Sequence, residues 1–172
     1  MFDLRGARWP ARAAAGLALA SAAVSCYWTA GGTFLLDTVG GEIEELARER
    51  SLGAVALGAA TVVLKVVAGV LALALLHPPV DTAWRRLLIL INAGASAILC
   101  LWGGVNVIVG ALVLGGAVDP SGEVDRYALR WHVVLWDMWF LIWGVTLALA
   151  VAAARQTYAS RCSAAKRGSG VG

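Results

Sequence analysis

Residues 52–76 read LGAVALGAATVVLKVVAGVLALALL, an apolar run broken by one charge, Lys65. A helix needs roughly 20 apolar residues to cross about 30 Å of hydrocarbon, and this stretch exceeds that length. Reading outward, residues 13–36, 87–113 and 127–153 meet the same requirement. The joints between the runs are polar: 37–51 carries a Glu-Ile-Glu-Glu segment, 77–86 carries Pro78 and Pro79, and 117–126 opens with Asp119, Pro120, Ser121 and Gly122. The pattern predicts an all-α integral membrane four-helix bundle, with residues 1–172 forming a single transmembrane domain.

The whole chain agrees with that reading. It has 172 residues, 60% hydrophobic and 15% charged, with a mean hydropathy of +0.76. Soluble domains carry about 25% charged residues. A net charge of +3 could suggest nucleic acid, but the basic residues sit in short clusters beside the apolar runs, so no nucleic-acid partner is expected. Cys26 and Cys100 lie inside apolar runs and Cys162 lies in the tail, without metal-ligand spacing. No disulfide, metal or cofactor is expected. Abundant Ala, Gly, Val and Arg with few Lys suits a high-GC bacterial genome, hence a bacterial plasma membrane.

Orientation follows from the distribution of Lys and Arg. Arg5, Arg8 and Arg12 precede the first run, Arg85 and Arg86 lie in the second joint, and Arg155, Arg161, Lys166 and Arg167 lie in the tail. The opposite side holds Arg48, Arg50, Arg126 and Arg130 among the acids Asp37, Glu42, Glu44, Glu45, Glu49, Asp119, Glu123 and Asp125. The positive-inside rule makes both termini cytoplasmic. The arginines before an Ala/Leu run that reaches Ala-Val-Ser-Cys at Cys26 imitate a signal peptide or lipobox, yet the run continues to Leu36 and reads as a span. Charges around Ile43, Leu46 and Ala47 predict a short surface helix on the outer face, and 155–172 reads as a partly disordered cytoplasmic tail.

Polar groups inside the runs are the candidate functional residues. Ionisable side chains at depth cost at least about 2.5–3.5 kcal/mol on insertion scales and usually face the bundle interior. Lys65 lies on a small-residue stripe with Ala54, Gly58, Thr61, Ala68 and Ala72; Asn92 and Asn106 lie on a similar stripe with Ser96, Gly103 and Gly110. Ser21, Ser25, Trp28 and Gly32 share a face of the first run, with Tyr27 beside it. At 1.5 Å per residue from the outer ends, Trp28, Asn106 and Asp137 fall about 12–15 Å deep and Lys65 about 20 Å. A snorkelling lysine stem would bring its charge toward Asp137. His132, Trp136, Trp139 and Trp143 occupy one stripe of the last run. Arg130 and Asp137 lie about 140° away by the helical rule, so His132 and Asp137 form no obvious dyad. Each feature also has a plain structural use: a register-fixing ion pair, interhelical amide bonds, and packed tryptophans.

Tyr27-Trp28-x-x-Gly31-Gly32 with Leu36-Asp37-Thr38, and Trp131-His132-x-x-x-Trp136-Asp137-x-Trp139-Phe140-x-x-Trp143-Gly144, resemble a family of small, mainly actinobacterial four-span membrane proteins catalogued as a domain of unknown function. The resemblance implies the four-span fold and singles out Tyr27, Trp28, Gly31, Gly32, Asp37, Trp131, His132, Trp136, Asp137 and Trp139. It implies no chemistry.

Three functions fit these residues. The first is a non-enzymatic module in the lipid bilayer that binds a small or lipidic ligand through Tyr27, Trp28, Lys65, Asn106, His132, Trp136, Asp137 and Trp139, or that joins a membrane complex or homo-oligomer. The second is a membrane enzyme using Asp137 or Asp37 as acid/base on a lipid or isoprenoid. The third is a small oligomeric transporter, although no inverted repeat is visible. No P-loop, dinucleotide fingerprint or nucleophile elbow is present.

Overall fold

The computed structural model describes residues 8–77, 79, 81–120, 122 and 124–168. Arg5, Pro78, Ser121, Glu123 and the end at 169–172 lie outside the described residues, as do the side chains of Arg161, Cys162, Lys166 and Arg167. The described chain is helical throughout, without strands. Its helices are α1 (Trp9–Thr29), α2 (Gly41–Glu49), α3 (Leu52–Ala74), α4 (Thr82–Leu114), α5 (Arg126–Trp131) and α6 (Asp137–Gly168); a 3-10 turn at Leu36–Thr38 precedes α2, and a π-helical segment, His132–Trp136, joins α5 to α6.

Local chemistry sets these ends. Ser51 caps α3 by accepting from the Ala54 N–H, Asp81 caps α4 through the Ala83 and Trp84 N–H groups, and Asp125 caps α5 through Tyr127 and Ala128. The first helix stops at Thr29, short of the expected 36. Gly31 takes φ +101°, and the Gly32 N–H turns back to the Tyr27 carbonyl, a Schellman-type ending that a side chain at Gly31 would strain. At the other end of the chain α6 carries helix through 155–168, a segment with no Gly or Pro before its last residue, and the Gly/Ser-rich end expected to be disordered lies outside the described residues.

Three described helical segments are long and apolar enough to cross a membrane: Leu52–Ala74, Thr82–Leu114 and Arg126–Tyr158. The first helix is long enough but falls outside that set, its Ala- and Ser-rich composition being diluted by Arg12. Its place in the fold explains the composition. It packs between α3 and α6, while α4 packs along α6 and only lightly against α3. Ala11, Ala14, Ala15 and Ala18 on α1 are all but completely buried, against Ala72 and Leu75 of α3, Leu88 of α4, and Trp143, Leu147 and Ala150 of α6. Small residues let the backbones approach on the face toward α3 and α6, while Arg12, Gly16 and Ala23 on α1 stay exposed. The outer faces of α3 and α4, with Leu64, Val70, Ile98, Leu101 and Ile108, are exposed. Gly103 marks the tightest crossing, since a Cβ there would lie 2.6 Å from the Asp137 carbonyl oxygen and the Leu141 nitrogen.

The connections place 30–51 and 115–125 at one end of the bundle. Arg8, Arg12, Arg85, Arg86 and Arg155 lie toward the other, where the Arg85 guanidinium sits 4.8 Å over the Tyr158 ring. Asn92, fully buried in α4, donates to the Leu71 carbonyl of α3 at 3.3 Å and to Leu88 of its own helix at 2.9 Å, so the expected interhelical amide bond is present.

Candidate functional site

At the acidic end the segment between α1 and α2 is strapped across the top of the bundle. The Trp28 indole donates to the Phe34 carbonyl (2.9 Å), the Trp136 indole donates to the Thr38 hydroxyl (3.1 Å), and the His132 Nε2 meets the Val39 carbonyl (2.9 Å). Leu36 and Thr38 are each 1% exposed beneath the strap. The rings of Trp28 and Trp136 meet edge to face at 5.3 Å. Residues of the two motifs singled out in the sequence, far apart in the chain, are thus bonded to one another. Leu35 holds φ +61° within the strap, a left-handed conformation that non-glycine residues adopt at a cost of order 1 kcal/mol.

The π-helical segment changes which side chains share a face. In an α-helix, residues five apart point about 140° apart. Here the Asp137 N–H bonds the His132 carbonyl, an i to i+5 bond that takes an extra residue into the turn and brings both side chains to one side. His132 Nδ1 lies 3.2 Å from Asp137 Oδ2, so the two form the dyad that regular helical geometry argued against. The proton count is informative. A carbonyl only accepts, so Nε2 carries a hydrogen toward Val39, and the Nδ1 to carboxyl contact holds one further proton. Asp137 is 6% exposed and lies against His132.

Beside this dyad lies a cavity of about 400 Å³, within the roughly 300–1,000 Å³ of small-ligand sites. Ser21, Ser25, Trp28 and Thr29 of α1 form one wall; Ala54, Gly58, Thr61 and Lys65 of α3 form another; His132, Trp136 and Phe140 form a third. Ile43, Leu46 and Ala47, the apolar face of α2, roof it, and Arg50 stands at the rim. Arg50 caps α2 in the left-handed conformation, and its guanidinium donates to the Ala30 carbonyl at 3.3 Å. The expected surface helix is therefore present, but it covers a cavity as well as facing solvent.

Lys65 does not pair with Asp137. Its Nζ donates to the Ser25 hydroxyl at 2.7 Å, and among the described residues no carboxylate lies within ion-pair distance of it. The reason is positional. Asp137 is taken by His132, and the lysine stem rises along α3 to α1, its nearest neighbour. Counted along α1, Ser25 is about 6 Å below Thr29, so the ammonium sits about one turn beneath the strap.

Of the residues expected to form the site, Trp28, Lys65, His132 and Trp136 line the cavity, and Asp137 backs it through His132. The others stand elsewhere. Asn106 donates to the Trp102 carbonyl of its own helix instead of crossing to a neighbour. Trp139 donates to the Leu17 carbonyl, and Trp143 is 4% exposed in the core, so the tryptophan stripe divides between cavity and packing. Tyr27 is 48% exposed with its ring over Gly32, and Asp37 is exposed and outside the cavity wall. Arg50 and the roof of α2 were read in the sequence as topology and surface signals. Only their return over the cavity reveals their relation to Lys65.

Residues 18–147 match the family described as Protein of unknown function (DUF3995). The chain belongs to that family. The matched segment contains every residue of the cavity wall and the His132–Asp137 dyad. No curated protein and no solved structure matches the chain.

Proposed function

We propose that the protein is a four-span bacterial plasma-membrane protein with both termini cytoplasmic, and that it acts as a non-enzymatic module binding a small lipidic ligand in the cavity beneath α2. The observation that carries the reading is the cavity wall, apolar for most of its surface yet supplied with the hydrogen-bonding or charged groups of Ser25, Lys65, His132 and Arg50. Packing alone would fill such a space, as it does at the other end of the same helices. Four spans are supported by the central position of α1 between two helices that are themselves long and apolar enough to cross. The sidedness rests on the arginines gathered at one end, which puts the cavity in the outer half of the bilayer.

The test is to purify the full chain in a non-ionic detergent and identify what accompanies it by mass spectrometry. The reading expects one molecule bound at near-stoichiometric level in the wild type and lost in Ala47→Trp, whose indole would occupy the cavity from its roof. Equal lipid content in both proteins would remove the binding role. Labelling of single cysteines introduced at Glu45 and Arg155 checks the topology. The first is expected to react with a membrane-impermeant maleimide in intact cells, and the second only after lysis.

A further inference from the structure

We infer that the ligand is a single-chain amphiphile with an anionic head, a carboxylate or phosphate drawn from the bilayer, seated with its head between Lys65 and Arg50. This rests on the binding reading above and assigns its chemical class.

The argument is one of charge complementarity. Two side chains of the cavity wall, Lys65 and Arg50, are cationic and none is acidic. Asp137 lies against His132 and not against Lys65, and among the described residues no carboxylate is within ion-pair distance of Lys65. The glutamates of α2 do not line the cavity, and Glu44 is engaged by Arg48 at 2.7 Å. Lys65 is therefore a cation inside a membrane-spanning segment whose partner is a neutral hydroxyl. Such a charge is costly without an opposite one, and an anionic oxygen beside Nζ would both supply it and accept from the Ser25 hydroxyl. The guanidinium of Arg50 already spends one N–H on Ala30 and keeps further donors at the rim. The remaining wall, Val24, Val55, Leu57 and Phe140 with the underside of α2, suits a hydrocarbon chain. A volume of about 400 Å³ holds a drug-sized molecule and thus one chain with its head.

Binding of hexadecanoate, hexadecyl phosphate, hexadecanol, hexadecyltrimethylammonium and inorganic phosphate is measured by tryptophan fluorescence on the full chain in nanodiscs of neutral lipid. Trp28 and Trp136 in the wall supply the signal. The two chain-bearing anions are expected to bind at least about tenfold more tightly than the alcohol. Lys65→Met should bring them down to the alcohol's affinity, and Lys65→Arg should keep most of the preference. Alcohol or ammonium binding as tight as the anions in the wild type overturns the anionic assignment, whether or not the variants fold. Inorganic phosphate binding as tightly as hexadecyl phosphate overturns the need for a chain. The binding reading fails separately, if none of the amphiphiles binds or if Ala47→Trp leaves their binding unchanged.

Discussion

The two ends of this bundle are built from the same helices and solve opposite problems. At the basic end α1 presents Ala11, Ala14, Ala15 and Ala18, all but completely buried, to a core that also holds Leu75, Trp143 and Leu147. At the acidic end α1 presents Ser21, Ser25 and Trp28, and the neighbours present Lys65, His132 and Trp136. Long and aromatic side chains line a space between α1, α3 and the π-helical segment there, while α4 still crosses α6 closely at Gly103 beside Asp137. Contact between small residues gives a sealed core, and the strap of polar bonds gives a walled space. The left-handed residues Leu35 and Arg50 and the π-helical turn all fall at this second end. Local strain of this kind concentrates where a structure is shaped for something other than its own stability.

The contrast can be broken at either end. Ala14, fully buried, has no room to grow, so Ala14→Leu should cost about 3 kcal/mol and lower the thermal unfolding midpoint of the detergent-solubilised protein sharply. An unchanged midpoint would mean that the basic end is not sealed. His132→Ala removes both the Val39 anchor and the Asp137 partner, with an expected loss of about 2 kcal/mol. It should also open the 33–39 strap to added protease. Persistent resistance would show that the remaining bonds suffice. Trp136→Phe keeps an aromatic ring beside Trp28, deletes the N–H to Thr38 and removes one ring of the indole, so at least about 1 kcal/mol is expected. Thr38→Val also removes the hydroxyl's bond to the Leu35 carbonyl, and the double mutant should cost about 1 kcal/mol less than the sum of the two singles. Full additivity of the two would deny that bond. The smallest effect belongs to the cavity itself: Ala47→Trp should shift unfolding by less than about 0.5 kcal/mol, because the indole enters space already present. A loss comparable to that of Ala14→Leu would erase the distinction between the ends.

Hydropathy was enough to find α3, α4 and the last helix, since a span is a property of consecutive residues and needs no partner to be recognised. The same local logic identified the amphipathic α2 from Ile43, Leu46 and Ala47 among charges, and the ionisable residues Lys65 and Asp137 inside apolar runs. It misplaced the end of α1 because a run of apolar residues continues through a Gly-Gly turn without any change in hydropathy. It separated His132 from Asp137 because it applied 100° per residue across a segment where the helix takes an extra residue into one turn.

The partners of these residues could not be read in this way. Whether Lys65 reaches Asp137 or Ser25 depends on which helix lies alongside α3, and that choice is made by the small faces of α1, α3 and α6 packing together. The one-dimensional pattern determined that the chain is helical, with apolar segments long enough for a bilayer and charges sorted to the two ends, because transfer from water to hydrocarbon acts residue by residue. The tertiary structure alone decided that α2 folds back as a roof, that Thr38 and Val39 meet Trp136 and His132, and that Lys65 stands in an apolar cavity bonded to Ser25 with no carboxylate in ion-pair reach among the described residues. Those contacts join residues distant in the chain, and their geometry exists only once the helices have packed.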